Sequence, residues 1–261
     1  MSYLDTYDST NRPQASGNSG LAIFRSDTKQ IEVSDGNAWQ VFYNDGSFTE
    51  LTSNEAYAVF DGTNDGLNIN TLSNHVQNAF TIGGYFFPIS STGTGANPIL
   101  TGGTSASYVL HFGYDYADSK FGFVSRASAG SFFKGTQINP SQWTHVVVTH
   151  NGDTTATIYY NGVQVATNAD QRKPTSTSTS NLSIGHRVFD NVFFNGYMDD
   201  VFIYDRELTE SEISTIYVQR KHTDFKALFR FENNFNDVSG NFNGIEIANS
   251  TIVFDNNNLP Y

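Results

Sequence analysis

Acid–base chemistry is the first thing to seek in a chain carrying 26 acidic and 14 basic residues. Retaining glycoside hydrolysis needs two carboxyl groups about 5–5.5 Å apart. On a strand, that separation means acids at alternate positions, as in Glu-x-Asp-x-Glu. The glutamates stand at 32, 50, 55, 207, 210, 212, 232 and 246, and none has that spacing on a predicted strand. His145 and His150 are five apart on one predicted strand, so they point to opposite faces, cannot share a ligand and are expected to pack. There is no His-Glu-x-x-His, no Gly-x-Ser-x-Gly and no Walker loop, and Thr101-Gly102-Gly103-Thr104 is a turn without a lysine to reach a phosphate. The residues therefore predict no enzyme. Asp237, Asn241 and Asn243 fall in one short polar loop, and clustered oxygen ligands suit a calcium ion. The same residues also suit a turn whose side chains accept backbone N–H bonds, and both readings stand. Tyr114, Tyr116, Phe189 and Phe194 are predicted loop aromatics placed to stack on a glycan, although rim aromatics are ordinary in a chain that is 15% aromatic.

The elements that position these side chains are strands. Charged residues make up only 15% of the 261 residues, and apolar residues almost nowhere recur at helical spacing for more than two turns. Strands are predicted within 57–65 and 80–88 and near 98–101, 107–113, 120–125, 131–134, 143–150, 155–160, 181–185 and 197–204. In the second of these, Phe80, Ile82 and Phe86 share a face, Gly84 is expected to admit the facing sheet, and Pro88 ends the ladder. One helix is predicted after Leu208. Thr209 and Glu212 form a capping box, and Ile213, Ile216 and Tyr217 lie on one face. The net charge of −12 argues against nucleic acid as a partner. There is no cysteine, so the core must hold the fold without disulfides. No apolar run approaches the roughly 20 residues of a membrane helix, so no membrane insertion is expected. Met1-Ser2-Tyr3-Leu4-Asp5 lacks a signal-peptide pattern, which predicts synthesis in a cytoplasm.

The stretch Trp143-Thr144-His145-Val146-Val147-Val148, Ile158-Tyr159-Tyr160-Asn161-Gly162 and Gly196-Tyr197-Met198-Asp199-Asp200-Val201, closed by Leu208 and a short helix, resembles the laminin-G-like branch of the concanavalin A-like jelly rolls. Phe60-Asp61-Gly62 and Phe80–Pro88 follow the same template. The resemblance implies an all-β fold: an antiparallel β-sandwich (laminin-G-like jelly roll) with one short helix. It also implies that the block Leu228-Phe229-Arg230-Phe231 through Asp237-Val238-Ser239-Gly240-Asn241 belongs ahead of Phe60, whereas here it comes last. This displaced block, 224–261, is expected to complete the sandwich by returning in cis or by swapping into a neighbour. Phe229, Phe231, Ile245 and Ile247 are its predicted inward residues. In the family slot its loop approaches Asp199, which alternates with Val201 and Ile203 and is expected to face inward as a further calcium ligand.

The remaining organisation is an arm over 1–19, a β-meander over 20–46 and the jelly roll over 47–223. Gly20-x-x-x-Phe24, Thr28, Ile31-x-Val33-x-Asp35-Gly36-x-x-Trp39 resembles a short meander of tailed-phage virion proteins. That resemblance implies attachment through Leu21, Ile23, Phe24 and Trp39, with Asn44-Asp45-Gly46-Ser47 as linker. It leads to the expectation of a structural accessory protein of a phage virion, on the capsid or in a tail or fibre. Such a protein would have other virion proteins as partners and would form a homo-oligomer such as a trimer. The alternative expectation is a lectin-like module for host-surface glycans.

Overall fold

The computed structural model describes residues 6–7, 13–14, 22–25, 30–34, 39–42, 48–50, 56–69, 75–89, 95–104, 107–125, 132–174, 182–187, 190–257 and 259–260. Its contacts divide the chain into two units, Met1–Glu55 and Ala56–Pro260. In the first, β1 (Thr6–Tyr7), β2 (Ala22–Arg25), β3 (Gln30–Ser34), β4 (Trp39–Phe42) and β5 (Phe48–Glu50) form one sheet in that order. β1 runs parallel to β2, and the other neighbours are antiparallel. Phe48 pairs back to Phe42, so the first unit extends past the expected linker. Ile23 is fully buried and is not available as an attachment contact. Leu21 and the side chains of Phe24 and Trp39 lie outside the described residues.

The second unit is the sandwich. Its strands are β6 (Tyr57–Asp61), β7 (Leu67–Ile69), β8 (Ala79–Pro88), β9 (Ala96–Thr104), β10 (Ser107–Asp115), β11 (Lys120–Ser125), β12 (Phe133–Lys134), β13 (Thr144–Asn151), β14 (Ala156–Tyr160), β15 (Val163–Asn168), β16 (Leu182–Ile184), β17 (His186–Arg187), β18 (Val192–Phe193) and β19 (Asn195–Tyr204). Helix α1 (Glu210–Gln219) follows, then β20 (Ala227–Phe229), β21 (Ile245–Glu246) and β22 (Val253–Asp255). One sheet has the order β12-β11-β10-β9-β16-β7-β21. The other has β15-β14-β13-β8-β19-β6-β22, with β20 also on β19. Strand alternation sends Phe80, Ile82 and Phe86 of one sheet and Leu110, Phe112, Tyr114, Phe121 and Phe123 of the other into a single core.

A second apolar layer sits on the outer face of the eight-stranded sheet. There Val147, Tyr159, Phe202, Tyr204 and Leu228 receive Leu208, Ile213 and Ile216 from α1 and its approach. The helix starts as its sequence requires. The Thr209 side chain accepts from the Glu212 N–H, and the Glu212 carboxylate accepts from the Thr209 N–H at 2.8 Å. Gly83 is needed at this layer, because an added Cβ would stand 2.6 Å from the Phe202 ring. Gly84 does not admit the facing sheet as expected. Its nearest neighbours include the carbonyls of Asp199 and Asp200 in its own sheet.

β19 carries a bulge, because Asp199 pairs with Tyr85 but Phe202 pairs with Gly83. The phase shift corrects the reading of Asp199. Val201 and Ile203 face the core, while Asp199 lies on the opposite face with Tyr85. Asp200, at φ 44°, joins it there. The last turn of α1 delivers Arg220, which bonds Asp199 at 3.2 Å and, through Nε, Asp200 at 2.6 Å. Its guanidinium also lies over the Tyr85 ring.

The C-terminal block packs on this same sandwich. The first half of β19 pairs with β6 and the second half with β20, so β20 continues the line of β6 along one edge of β19. β21 extends the seven-stranded sheet at β7, and β22 extends the eight-stranded sheet at β6. Phe229 and Phe231 are buried as expected, but Ile245 is 56% exposed because β21 is an edge strand. Leu228 and Ile252 contribute the burial in its place.

Candidate functional site

The outer face of the seven-stranded sheet carries a line of polar side chains set by register. Asn68 pairs with Ser183, Ser183 with Thr101, and Thr101 with His111. These four come from four strands, and their chain neighbours Leu67, Leu100, Leu110, Phe112, Leu182 and Ile184 fill the core. Ser183 Oγ donates to Asn68 Oδ1 at 3.0 Å. The short β17–β18 hairpin crosses this face. It leaves β16 through Gly185 at φ 74°, where a Cβ would strike the Phe60 ring at 2.4 Å, and Phe194 N–H closes its base on the Gly185 carbonyl.

Thr101 Oγ donates to the His186 carbonyl at 2.8 Å, fastening the hairpin to the sheet. Arg187 fastens it a second time. Its Nη1 donates to the Ala96 carbonyl at 3.1 Å and lies 3.2 Å from His111 Nδ1. Burial, aided by the Arg187 charge, pushes His111 down to about 3, so the ring is neutral and its Nδ1 accepts. Arg187 Nε and Nη2 form a two-pronged ion pair with Asp190 at 2.8 and 2.7 Å. The result is a carboxylate held at a fixed angle on the hairpin turn, with its side chain 37% exposed. Phe132, half-buried, stands edge-on to His111, and half-buried Phe193 stacks on His186 at 4.7 Å. An oriented acceptor is chemistry for ligands that donate hydrogen bonds.

The aromatics singled out in the sequence are elsewhere. Tyr114 is fully buried because it continues the inward alternation of Leu110 and Phe112, and Phe194 is likewise core. Tyr116 packs against Tyr114, and its hydroxyl accepts from the Asn195 N–H at 3.1 Å and donates to the Asn195 carbonyl. Phe189 lies outside the described residues. The site residues missed were Arg187 and Asp190. Their signal was an Arg-x-x-Asp-Asn run, with Val188-Phe189 inside it and Val192-Phe193 after it, which reads as a turn with a built-in ion pair.

The proposed calcium ligands do not fit a cation cage. Asp237 Oδ1 accepts from the Leu228 N–H at 2.8 Å and the Ser239 N–H at 3.2 Å. Its Oδ2 accepts from the Ser239 hydroxyl and the Asn241 N–H. Asn243 Oδ1 accepts from the Asp237 N–H at 3.0 Å, while Asp199 is held by Arg220. These are the bonds of a turn. Among the described residues no three histidine or acidic side chains gather as a metal group. His145 and His150 do face opposite ways. His145 lies under α1 against Tyr85 and Tyr217, whereas His150 stacks on Phe80 of the core and bonds the Gln171 carbonyl at 2.6 Å.

Two packed antiparallel sheets with a helix on one outer face and a hairpin across the other define a jelly roll of the lectin type. The family model of the concanavalin A-like lectin/glucanases superfamily matches residues 61–214, and the chain belongs to that superfamily. Among solved structures, it resembles a protein of Bacteroides ovatus named as a candidate carbohydrate-binding protein. The identity is 16% and the TM-score 0.59, over 87% of this chain and 72% of that one. It also resembles the Trypanosoma rangeli sialidase at 17% identity and TM-score 0.51, over 74% of this chain and 31% of that one. At these identities the likenesses establish the fold. No curated protein matches the chain.

Proposed function

We propose that the sandwich is a non-catalytic glycan-binding module and that its ligand lies against the β17–β18 hairpin on the outer face of the seven-stranded sheet. The observation that carries this reading is Asp190, oriented by two bonds from Arg187 at a turn that two further contacts, from Thr101 and from Arg187 itself, pin to the sheet. A carboxylate so fixed accepts hydroxyl donors without an ordering cost, and the half-buried rings of Phe132 and Phe193 on the same side of the sheet offer apolar surface to a sugar ring. Superfamily membership supports the ligand class, since the matching family model is described as concanavalin A-like lectin/glucanases. Glucanase chemistry is disfavoured by what the carboxylates do. Asp199 and Asp200 share Arg220, and Asp115 and Asp118 share Lys134. The first pair is closed off beneath α1, its side chains at most 1% exposed, and the second is tied to a lysine, so neither presents a substrate with an acid and a nucleophile.

The test is a glycan panel titrated against the purified full chain. Saturable binding is expected without release of reducing ends, and Asp190→Ala is expected to abolish it while leaving the melting temperature within a few degrees. Absence of binding to any glycan, or binding indifferent to Asp190→Ala, overturns the reading. The virion role expected from the meander concerns where such a module is carried, and mass spectrometry of purified particles tests it separately.

A further inference from the structure

Resting on the glycan-binding reading, we infer that this site selects neutral sugars and excludes carboxylated ones, and that Asp190 is the residue that sets the selection. The argument is a count of charges and donors. Sugars bearing a carboxylate are ordinarily held by a cation with free N–H groups, and Arg187 is the cation nearest the hairpin turn. Its Nε and Nη2 are committed to Asp190, and its Nη1 to the Ala96 carbonyl and His111 Nδ1, leaving at most one N–H bond uncommitted.

The other described cations on this face are matched in the same way. Asp115 pairs in register with Lys120 on the outer side of β10 and β11, and Gly122 pairs with Lys134. Lys134 bonds Asp115 at 2.8 Å and Asp118 at 2.9 Å, and Lys120 lies 3.7 Å from Asp118. No described cation on the face stands without a carboxylate. The chain as a whole carries −12, so a ligand carboxylate approaching Asp190 meets repulsion, with no uncommitted charge among the described residues of this face to offset it. Sugar hydroxyls, which donate, find the opposite situation: the outward lone pairs of Asp190 accept them.

The experiment compares neutral oligosaccharides with sialylated or uronic-acid counterparts of the same core, on the full chain and on Asp190→Asn, by direct titration at low and physiological salt. The wild type is expected to bind the neutral member of each pair about tenfold or more tightly, with little salt dependence. Asp190→Asn keeps the shape but releases the Arg187 charge, and is expected to shrink that preference about tenfold. Wild-type preference for the carboxylated member overturns the selectivity, and a ratio unchanged in Asp190→Asn overturns its assignment to Asp190, in both cases leaving glycan binding intact. No binding of either member by the wild type overturns both. The melting temperature of Asp190→Asn checks that the variant is folded, and the wild-type preference alone decides the matter if it is not.

Discussion

His145 shows how much the sandwich tolerates in exchange for a packed layer under α1. The side chain is 1% exposed, ringed by Tyr85, Phe202 and Tyr217, and among the described residues neither ring nitrogen has a hydrogen-bond partner. Burial, helped by the nearby His222, pushes it down to about 3. Burial likewise holds His222 at about 4 and His111 at about 3. Above pH 6.5 these rings are neutral both folded and unfolded, and the full stability is present. As pH falls from 6.5 towards 3, the unfolded chain takes up protons that the folded chain refuses. Each such histidine then removes about 1.4 kcal/mol of stability per pH unit. Three titrating together remove about 4 kcal/mol per pH unit, a large part of a typical domain's 5–15 kcal/mol. His145→Phe should be at least as stable as the wild type at pH 7, since it removes two buried unpaired nitrogens. Denaturation measured between pH 6.5 and 4 should show its stability falling less steeply, by about 1.4 kcal/mol per unit. An unchanged slope would mean that His145 is protonated or solvated in the fold. The opposite faces of His145 and His150 were legible because strand alternation survives along β13. The direction of Asp199 was not, because a bulge resets the alternation and nothing in Asp199-Asp200 announces one.

Among the elements, α1 was the most legible because its start is chemical: a capping box read from two residues is also present in space. Arg206 adds an ion pair to Glu212 at 2.7 Å, and with the Thr209 bonds it holds that carboxyl at about 2. Thr209→Ala should cost about 1 kcal/mol in chemical denaturation, with an unchanged dependence on denaturant concentration. A loss below a few tenths would show that packing of Ile213 and Ile216 alone fixes the helix. The long strands were legible by alternation, and Tyr114 was misplaced only because its aromatic type outweighed its phase after Leu110 and Phe112. The β17–β18 hairpin is the opposite case. Strands of two residues carry no period to detect. Its importance comes from its bonds to Thr101 and His111, which stand in line with Ser183 and Asn68 only through register. The framework of the site was therefore invisible to local reading, although the Arg187–Asp190 pair at its tip was within reach of it.

At the scale of the molecule, the order of the blocks is a matter of chain connection, because the C-terminal segment occupies positions the sandwich needs whatever the route to them. Leu228, Phe229, Phe231 and Ile252 are each at most 8% exposed, and burying them is worth roughly 6–12 kcal/mol before ordering costs. Polar ties add to this: Thr251 N–H donates to Asp65 at 2.8 Å, and Ala56 N–H donates to Glu232 at 3.0 Å. Removing residues 224–261 should therefore leave a chain without a cooperative melting transition. That loss alone does not distinguish a required position from a required order, but a permutation does. Asp255 pairs with Tyr57 across β22 and β6, so their Cα atoms are about 5 Å apart and a linker of about four residues can join Asn257 to Ala56. Cutting after Arg220 and placing 221–257 between Glu55 and Ala56 restores the order in which this block precedes Phe60. The permuted chain should melt cooperatively within a few degrees of the wild type and bind the same glycans, because no pairing of β20, β21 or β22 changes. If instead the permuted chain fails to fold while the shortened chain melts normally, the C-terminal strands are an attachment to a sandwich that is already complete.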